Sequence, residues 1–162
     1  MTSVLFVCLG NICRSPTAEG VFCDLIKKND LSLSISADSA GTGSWHIGNP
    51  PDPRAQSATL SRGIDISGLR ARQVTPLDFD KFHYIIAMDN ANKSDLLLLC
   101  PSGMENKLHL LMDFAPDLPT REVPDPYYGG GQGFERVLDM IEVASTGLLS
   151  RIKLDQRLLN TI

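Results

Sequence analysis

Residues 4–19 read VLFVCLGNICRSPTAE, and the change of character within them decides the fold. Val4–Val7 is a short, continuously apolar, β-prone run, the pattern of a strand buried on both faces of a parallel sheet. It stops at Cys8. Ser15-Pro16 then opens a helix, since serine is a strong N-cap and proline suits the first helical position. The spacing predicts that helix from Pro16 to about Asn29.

Further strands are predicted at Leu33–Ala37, Tyr84–Met88 and Leu108–Met112. Helices are predicted at Arg54–Ser61, ending near Gly63, and at Asn90–Leu99, stopping before Pro101. The last helix is the clearest: Phe134, Val137, Leu138, Ile141, Ala144, Leu148 and Ile152 recur at helical spacing, with Gly147 interrupting the pattern. Strands alternating with helices imply a three-layer α/β fold with helices on both faces of a parallel sheet. The 162 residues suit one domain spanning 1–162.

Composition narrows the function. Apolar residues make up 43% and charged residues 21%, ordinary for a soluble globular chain. The net charge of −4 argues against a nucleic-acid surface. No basic run suggests a membrane surface, and no stretch approaches the roughly 18 apolar residues of a membrane span. The N-terminus lacks the charged region of a signal peptide. An intracellular, cytoplasmic setting is expected. Cys8, Cys13, Cys23 and Cys100 form no CxxC pair, and His46, His83 and His109 are scattered. No metal site and no disulfide framework are therefore expected.

Two long loops, Ser39–Asp52 and Ala115–Gly133, stand out, and loops of this length in a compact domain are usually functional. In an open α/β sheet, ligands bind beyond the carboxyl ends of the strands, where Cys8 also falls. Gly129–Gly133 (GGGQG) lacks the spacing of a nucleotide loop and reads as a flexible hinge before the last helix.

The segment after Cys8 has the makings of an anion cradle. Successive backbone N–H groups in such a loop can form a nest, and the following helix adds the positive end of its dipole. Gly10 permits a positive φ and Asn11 tolerates one. Arg14 offers a planar fork matched to two phosphate oxygens. A thiol in such a place ionises readily, which makes Cys8 a candidate nucleophile. Ser15 is placed to donate a hydrogen bond to its sulfur. The lysine of a nucleotide P-loop is absent.

Residues 4–19 resemble the active-site loop of the low-molecular-weight protein tyrosine phosphatases. Residues 123–137, VPDPYYGGGQGFERV, resemble that family's general-acid loop, and DSAGTGSWHIGNPPDPRA (38–55) and ARQVTPLDF (71–79) resemble two further segments. The resemblance spans essentially the whole chain. It implies a four-stranded parallel sheet and cofactor-free, metal-free hydrolysis of phosphomonoesters through a cysteinyl-phosphate. Cys8 looks like the nucleophile, Arg14 the phosphate clamp and Asp125 the general acid. Leu9, Gly10, Asn11, Ile12, Cys13 and Arg14 are similar to the loop that supplies N–H donors. Asn11 looks like the residue that braces the loop, and Ser15 like the residue that steadies the thiolate.

The implied substrates are phosphotyrosine-containing proteins, with inorganic phosphate and other oxyanions as inhibitors. The small size and an intact site allow a monomer as the working unit. Some relatives carry a histidine before the Ala-Arg-Gln segment that supports the loop asparagine. Here Gly68-Leu69-Arg70 has none, and Ser39 is one candidate to replace it.

Tyr127 and Tyr128 suit the wall of a slot that stacks on a substrate ring. Trp45 is either the facing wall or an ordinary half-buried anchor. Asp125, between Pro124 and Pro126, can protonate a leaving oxygen, although Asp-Pro also starts turns. Related phosphoarginine phosphatases carry threonine in place of Ile12, and the apolar side chain favours an aromatic ring. Cys13 is either a filler or a thiol that resolves oxidised Cys8 as a disulfide, a role the resemblance supports. Asp89 reads equally as an acid-loop support and as a helix cap. Cys23 and Cys100 read as packing residues. The competing functions are a protein arginine phosphatase, a thiol-dependent arsenate reductase, which needs a further cysteine pair, and a non-catalytic phosphate-binding module.

Overall fold

A computed structural model describes residues 1–130 and 132–161. Four strands, β1 (Thr2–Cys8), β2 (Ile35–Gly41), β3 (Tyr84–Ala87) and β4 (Leu108–Leu110), form one sheet. Their order is β2-β1-β3-β4 and every pairing is parallel. The helices are α1 (Arg14–Lys28), α2 (Pro53–Leu60), α3 (Asp78–Lys81), α4 (Asn90–Leu99) and α5 (Gln132–Leu159).

β1 lies at the centre, and Val4, Leu5, Phe6 and Val7 are wholly buried. Their side chains alternate between two cores. Val4 and Phe6 pack with α1 and α5, while Leu5 and Val7 pack with Phe79 of α3 and Leu96 of α4. Each fully buried side chain of this size contributes about 1.5–3 kcal/mol. This explains the continuous apolar run: both faces of the strand are covered. The expected three-layer architecture is what the chain adopts.

Several boundaries move, for tertiary reasons. The predicted strand at Leu33 starts at Ile35, because Leu33 sits in a turn, 91% exposed. β2 then continues to Gly41 in register with Cys8. β4 ends at Leu110 and passes into a 3₁₀ turn over Leu111–Phe114. α5 runs past Ile152 without an apolar stripe. Its last turns are held by polar contacts, Tyr84 Oη to Asp155 at 2.5 Å and Gln156 Nε2 to Thr2 Oγ1 at 2.9 Å. Gly147 stays inside α5 because a Cβ there would stand 1.9 Å from the carbonyl oxygen of Phe114. Of the glycine run predicted to be a hinge, Gly131 lies outside the described residues.

Candidate active site

β1 delivers Cys8 to the carboxyl edge of the sheet, where Cys8 is 3% exposed. The loop after it turns on Asn11, which adopts φ 57°. Gly10 does not take the positive φ expected of it. Its lack of a side chain serves close approach, since a Cβ would meet the His46 ring at 3.0 Å. Asn11 N–H donates to Cys8 Sγ at 3.3 Å.

Ser15 is not the N-cap. α1 starts at Arg14, two residues before the expected Pro16, with Cys13 at the cap position and no side chain capping it. The first-turn N–H groups are therefore not occupied by a cap, which is what an anion requires. Ser15 is fully buried and spends its hydroxyl on the loop, with Oγ 3.0 Å from Cys8 Sγ and 3.3 Å from the Ala40 carbonyl.

The bracing of the loop is visible in full. Asn11 Oδ1 accepts from the backbone N–H of Arg72 at 3.0 Å. Its Nδ2 donates to Ser15 Oγ at 2.8 Å and Ser39 Oγ at 3.0 Å. Because a backbone N–H can only donate, the amide orientation is determined. Ser39 thus braces Asn11, together with a backbone group from residue 72. The end of β2 presses against the loop: Gly43 N–H donates to the Leu9 carbonyl at 2.9 Å. A Cβ on Gly41 would lie 2.7 Å from that same carbonyl oxygen and 3.2 Å from Asn11. Gly41→Ala is expected to displace the loop and lower kcat/KM by about 10²-fold, the cost of a misplaced reacting group. Steady-state kinetics beside a circular dichroism spectrum check this.

Arg14 is 2% exposed. Its Nη1 donates to Asp89 Oδ2 at 2.6 Å and the Val123 carbonyl at 3.0 Å, and Nη2 lies 3.6 Å from Asp125 Oδ2. Burial opposes charge on the guanidinium, but the neighbouring Cys8, Asp89 and Asp125 outweigh it and hold the group protonated. Asp89 caps α4, its Oδ1 accepting from Asn92 N–H at 2.7 Å, and it holds the Arg14 clamp and not the acid loop itself. The acid loop is anchored beside it: Val123 N–H donates to the Met88 carbonyl at 2.8 Å, and Arg121 gathers the carbonyls of Met112, Ala115 and Leu118.

These elements enclose a cleft of about 300 Å³ lined by Cys8, Leu9, Gly10, Ile12, Cys13, Arg14, Trp45, His46, Asp125, Tyr127 and Tyr128. Asn11 and Ser15 stand behind it. Trp45 is 72% exposed, its ring laid over Gly43, so it stands at the rim and is no half-buried anchor. The Tyr127 and Tyr128 rings meet edge to face at 4.9 Å. Arg54 stacks on Tyr127 at 5.5 Å and on Phe134 at 4.7 Å. Burial, then Asp52, Cys8 and Asp125, push the Cys13 thiol up to about 12. His46 and Arg54 escaped the sequence reading; neither carries a local pattern, and the fold alone brings His46 to the cleft and Arg54 against Tyr127.

A family model for low molecular weight phosphotyrosine protein phosphatase matches residues 3–158. The chain belongs to that family. It is 48% identical over 160 residues to the low molecular weight protein-tyrosine-phosphatase YfkJ of Bacillus subtilis, covering 98% of this chain and 100% of that one. A crystal structure of the protein tyrosine phosphatase from Entamoeba histolytica, with Hepes in its active site, superposes with TM-score 0.93 at 43% identity. The match covers 96% of this chain and 99% of that one. A Drosophila arginine phosphatase superposes with TM-score 0.86 at 34% identity, covering 94% and 98%. No helix among the described residues of this phosphatase is long and apolar enough to cross a membrane.

Proposed function

We propose that this phosphatase hydrolyses protein phosphotyrosine without metal or cofactor, with Cys8 as nucleophile, Arg14 as phosphate clamp and Asp125 as general acid and base. The observation that carries the reading is the convergence of these three side chains on one cleft, built from β1, the start of α1 and the loop before α5.

The phosphoryl oxygens sit against the N–H groups of residues 9–14 and the Arg14 fork, where charge is stabilised by fixed dipoles. Cys8 sulfur attacks phosphorus in line. The P–O bond breaks as Asp125 gives its proton to the departing phenolic oxygen. Asp125, now a carboxylate, takes a proton from water as that water attacks the cysteinyl-phosphate. Inorganic phosphate leaves, and the sulfur departs as a thiolate that accepts the Ser15 hydroxyl. Phosphate and other oxyanions compete for the same cradle.

Ile12 and the tyrosine pair face the cleft and suit a flat aromatic ring; a guanidinium in that place would need hydrogen-bond partners. The reading therefore favours phosphotyrosine over phosphoarginine, despite the fold shared with the arginine phosphatase. Cys13, buried and neutral, is proposed to resolve peroxide-oxidised Cys8: the Cys8 sulfenic acid condenses with the Cys13 thiol to a disulfide and water. The chain is proposed to work as a single domain and a monomer in the cytoplasm. Phosphate release from phosphotyrosine, phosphoserine and phosphoarginine peptides, each with chelator present, tests this. Turnover concentrated on phosphotyrosine is expected; preference for phosphoarginine overturns the substrate reading.

A further inference from the structure

Glu19 sits one turn beyond Ser15 on α1 and does not line the cleft, yet it closes a continuous chain of hydrogen bonds that begins at Cys8. Its Oε2 accepts from Ser39 Oγ at 2.6 Å. The geometry sets where each proton lies. Asn11 turns its oxygen to Arg72 N–H, so both amide hydrogens go to the two serines. Each serine oxygen thus accepts from Asn11 and must place its own proton elsewhere. Ser39 places its proton on Glu19. Ser15 has two acceptors within reach, Cys8 Sγ at 3.0 Å and the Ala40 carbonyl at 3.3 Å.

A carboxylate at the end of the chain is an acceptor only, and a charged acceptor strengthens the bonds linked to it. A protonated carboxyl can donate to Ser39 instead, which takes away the acceptor of the Ser39 proton and disturbs the arrangement with Asn11. We propose that Glu19 is a positioning residue for the reaction: as a carboxylate it holds Ser39 and Asn11 in the arrangement that aims the Ser15 proton at Cys8, and its protonation loosens that chain and slows breakdown of the cysteinyl-phosphate. The inference rests on Cys8 being the nucleophile.

The surroundings allow the change near neutral pH. Burial pushes the Glu19 carboxyl up to about 7, opposed by the Ser39 hydrogen bond; Asp38 adds to the rise and Arg72 works against it. These are the groups that face it: Asp38 from β2, Arg72 from the segment after α2, itself shared with Asp78 by ion pairing, and Cys23 one turn along α1. Cys8 is not among the charges that move Glu19, so the influence runs through hydrogen bonds. The histidine that supports the loop asparagine in some relatives has no counterpart in Gly68-Leu69-Arg70, which leaves the carboxyl as the ionisable end of the chain.

The test is kcat and KM for a phosphotyrosine peptide between about pH 5.5 and 9, in the intact protein, in Glu19→Gln and in Ser39→Ala. Carbon-detected NMR of the glutamate carboxyls follows Glu19 in the intact protein. The intact protein is expected to gain roughly five- to tenfold in kcat, the worth of about one hydrogen bond, as Glu19 ionises. Glu19→Gln is expected to stay on the low plateau throughout, with the difference in kcat and not in KM. Ser39→Ala, which cuts the chain and leaves the carboxyl, is expected to lose the same inflection. A Glu19→Gln profile that superposes on the intact protein's overturns the proposal, as does an intact-protein inflection that falls away from the measured Glu19 titration. Absence of turnover by the intact protein at every pH instead overturns the Cys8 reading.

Discussion

Cys8→Ser is expected to lower phosphate release from a phosphotyrosine peptide by at least about 10⁴-fold, the scale on which removing a nucleophile acts, while the fold and oxyanion binding survive. Serine is nearly isosteric with cysteine and can keep the contacts of Asn11 N–H and Ser15 Oγ with position 8. The cradle is built from backbone groups and Arg14, so it does not need the sulfur to hold phosphate. What disappears is the anionic nucleophile, because a hydroxyl does not ionise where a thiol does. Turnover with chelator present, beside vanadate binding by calorimetry, checks both halves. A variant that keeps turnover within about tenfold of the intact protein would remove Cys8 from the mechanism.

Asp125→Asn is expected to slow phosphotyrosine hydrolysis by about 10²–10⁴-fold, the usual contribution of positioned acid–base catalysis. Its effect should depend on the leaving group, which separates a proton-transfer role from a structural one. A nitrophenolate leaves without a proton far more easily than a tyrosine phenolate does, so a nitrophenyl phosphate should lose much less. Asparagine preserves the shape and an oxygen for the 3.0 Å bond from Tyr127 N–H, so the loop need not move. An equal loss on both substrates would mean that Asp125 only shapes the loop beside Arg14, 3.6 Å away.

Asp89 and Glu19 show why part of the site was hidden in the chain. Asp89 reads from sequence equally as an acid-loop support and as a helix cap, and the cap is what it is. That its other oxygen holds Arg14, 75 positions away, has no local signature. Glu19 reads as one more charged residue on a helix, until β2 brings Ser39 against it. Ser15 misled in the opposite direction. Its type fits a cap, but a buried hydroxyl goes to whichever partners the tertiary fold supplies, and here those are Cys8 and Asn11.

What the sequence determined by itself was whatever is encoded within a few residues or by a repeating step. The apolar run of β1 demanded cover on both faces, the helical spacing of α5 demanded a packed stripe, and Cys8 through Arg14 formed the cradle from adjacent positions. The tertiary structure alone decided how the cradle is braced, that Trp45 and His46 stand at its mouth, and that Asp125 reaches Arg14. Those relations depend on parallel strands that carry the segments after β1, β2, β3 and β4 to one edge of the sheet. Contacts between distant segments leave no periodic trace along the chain.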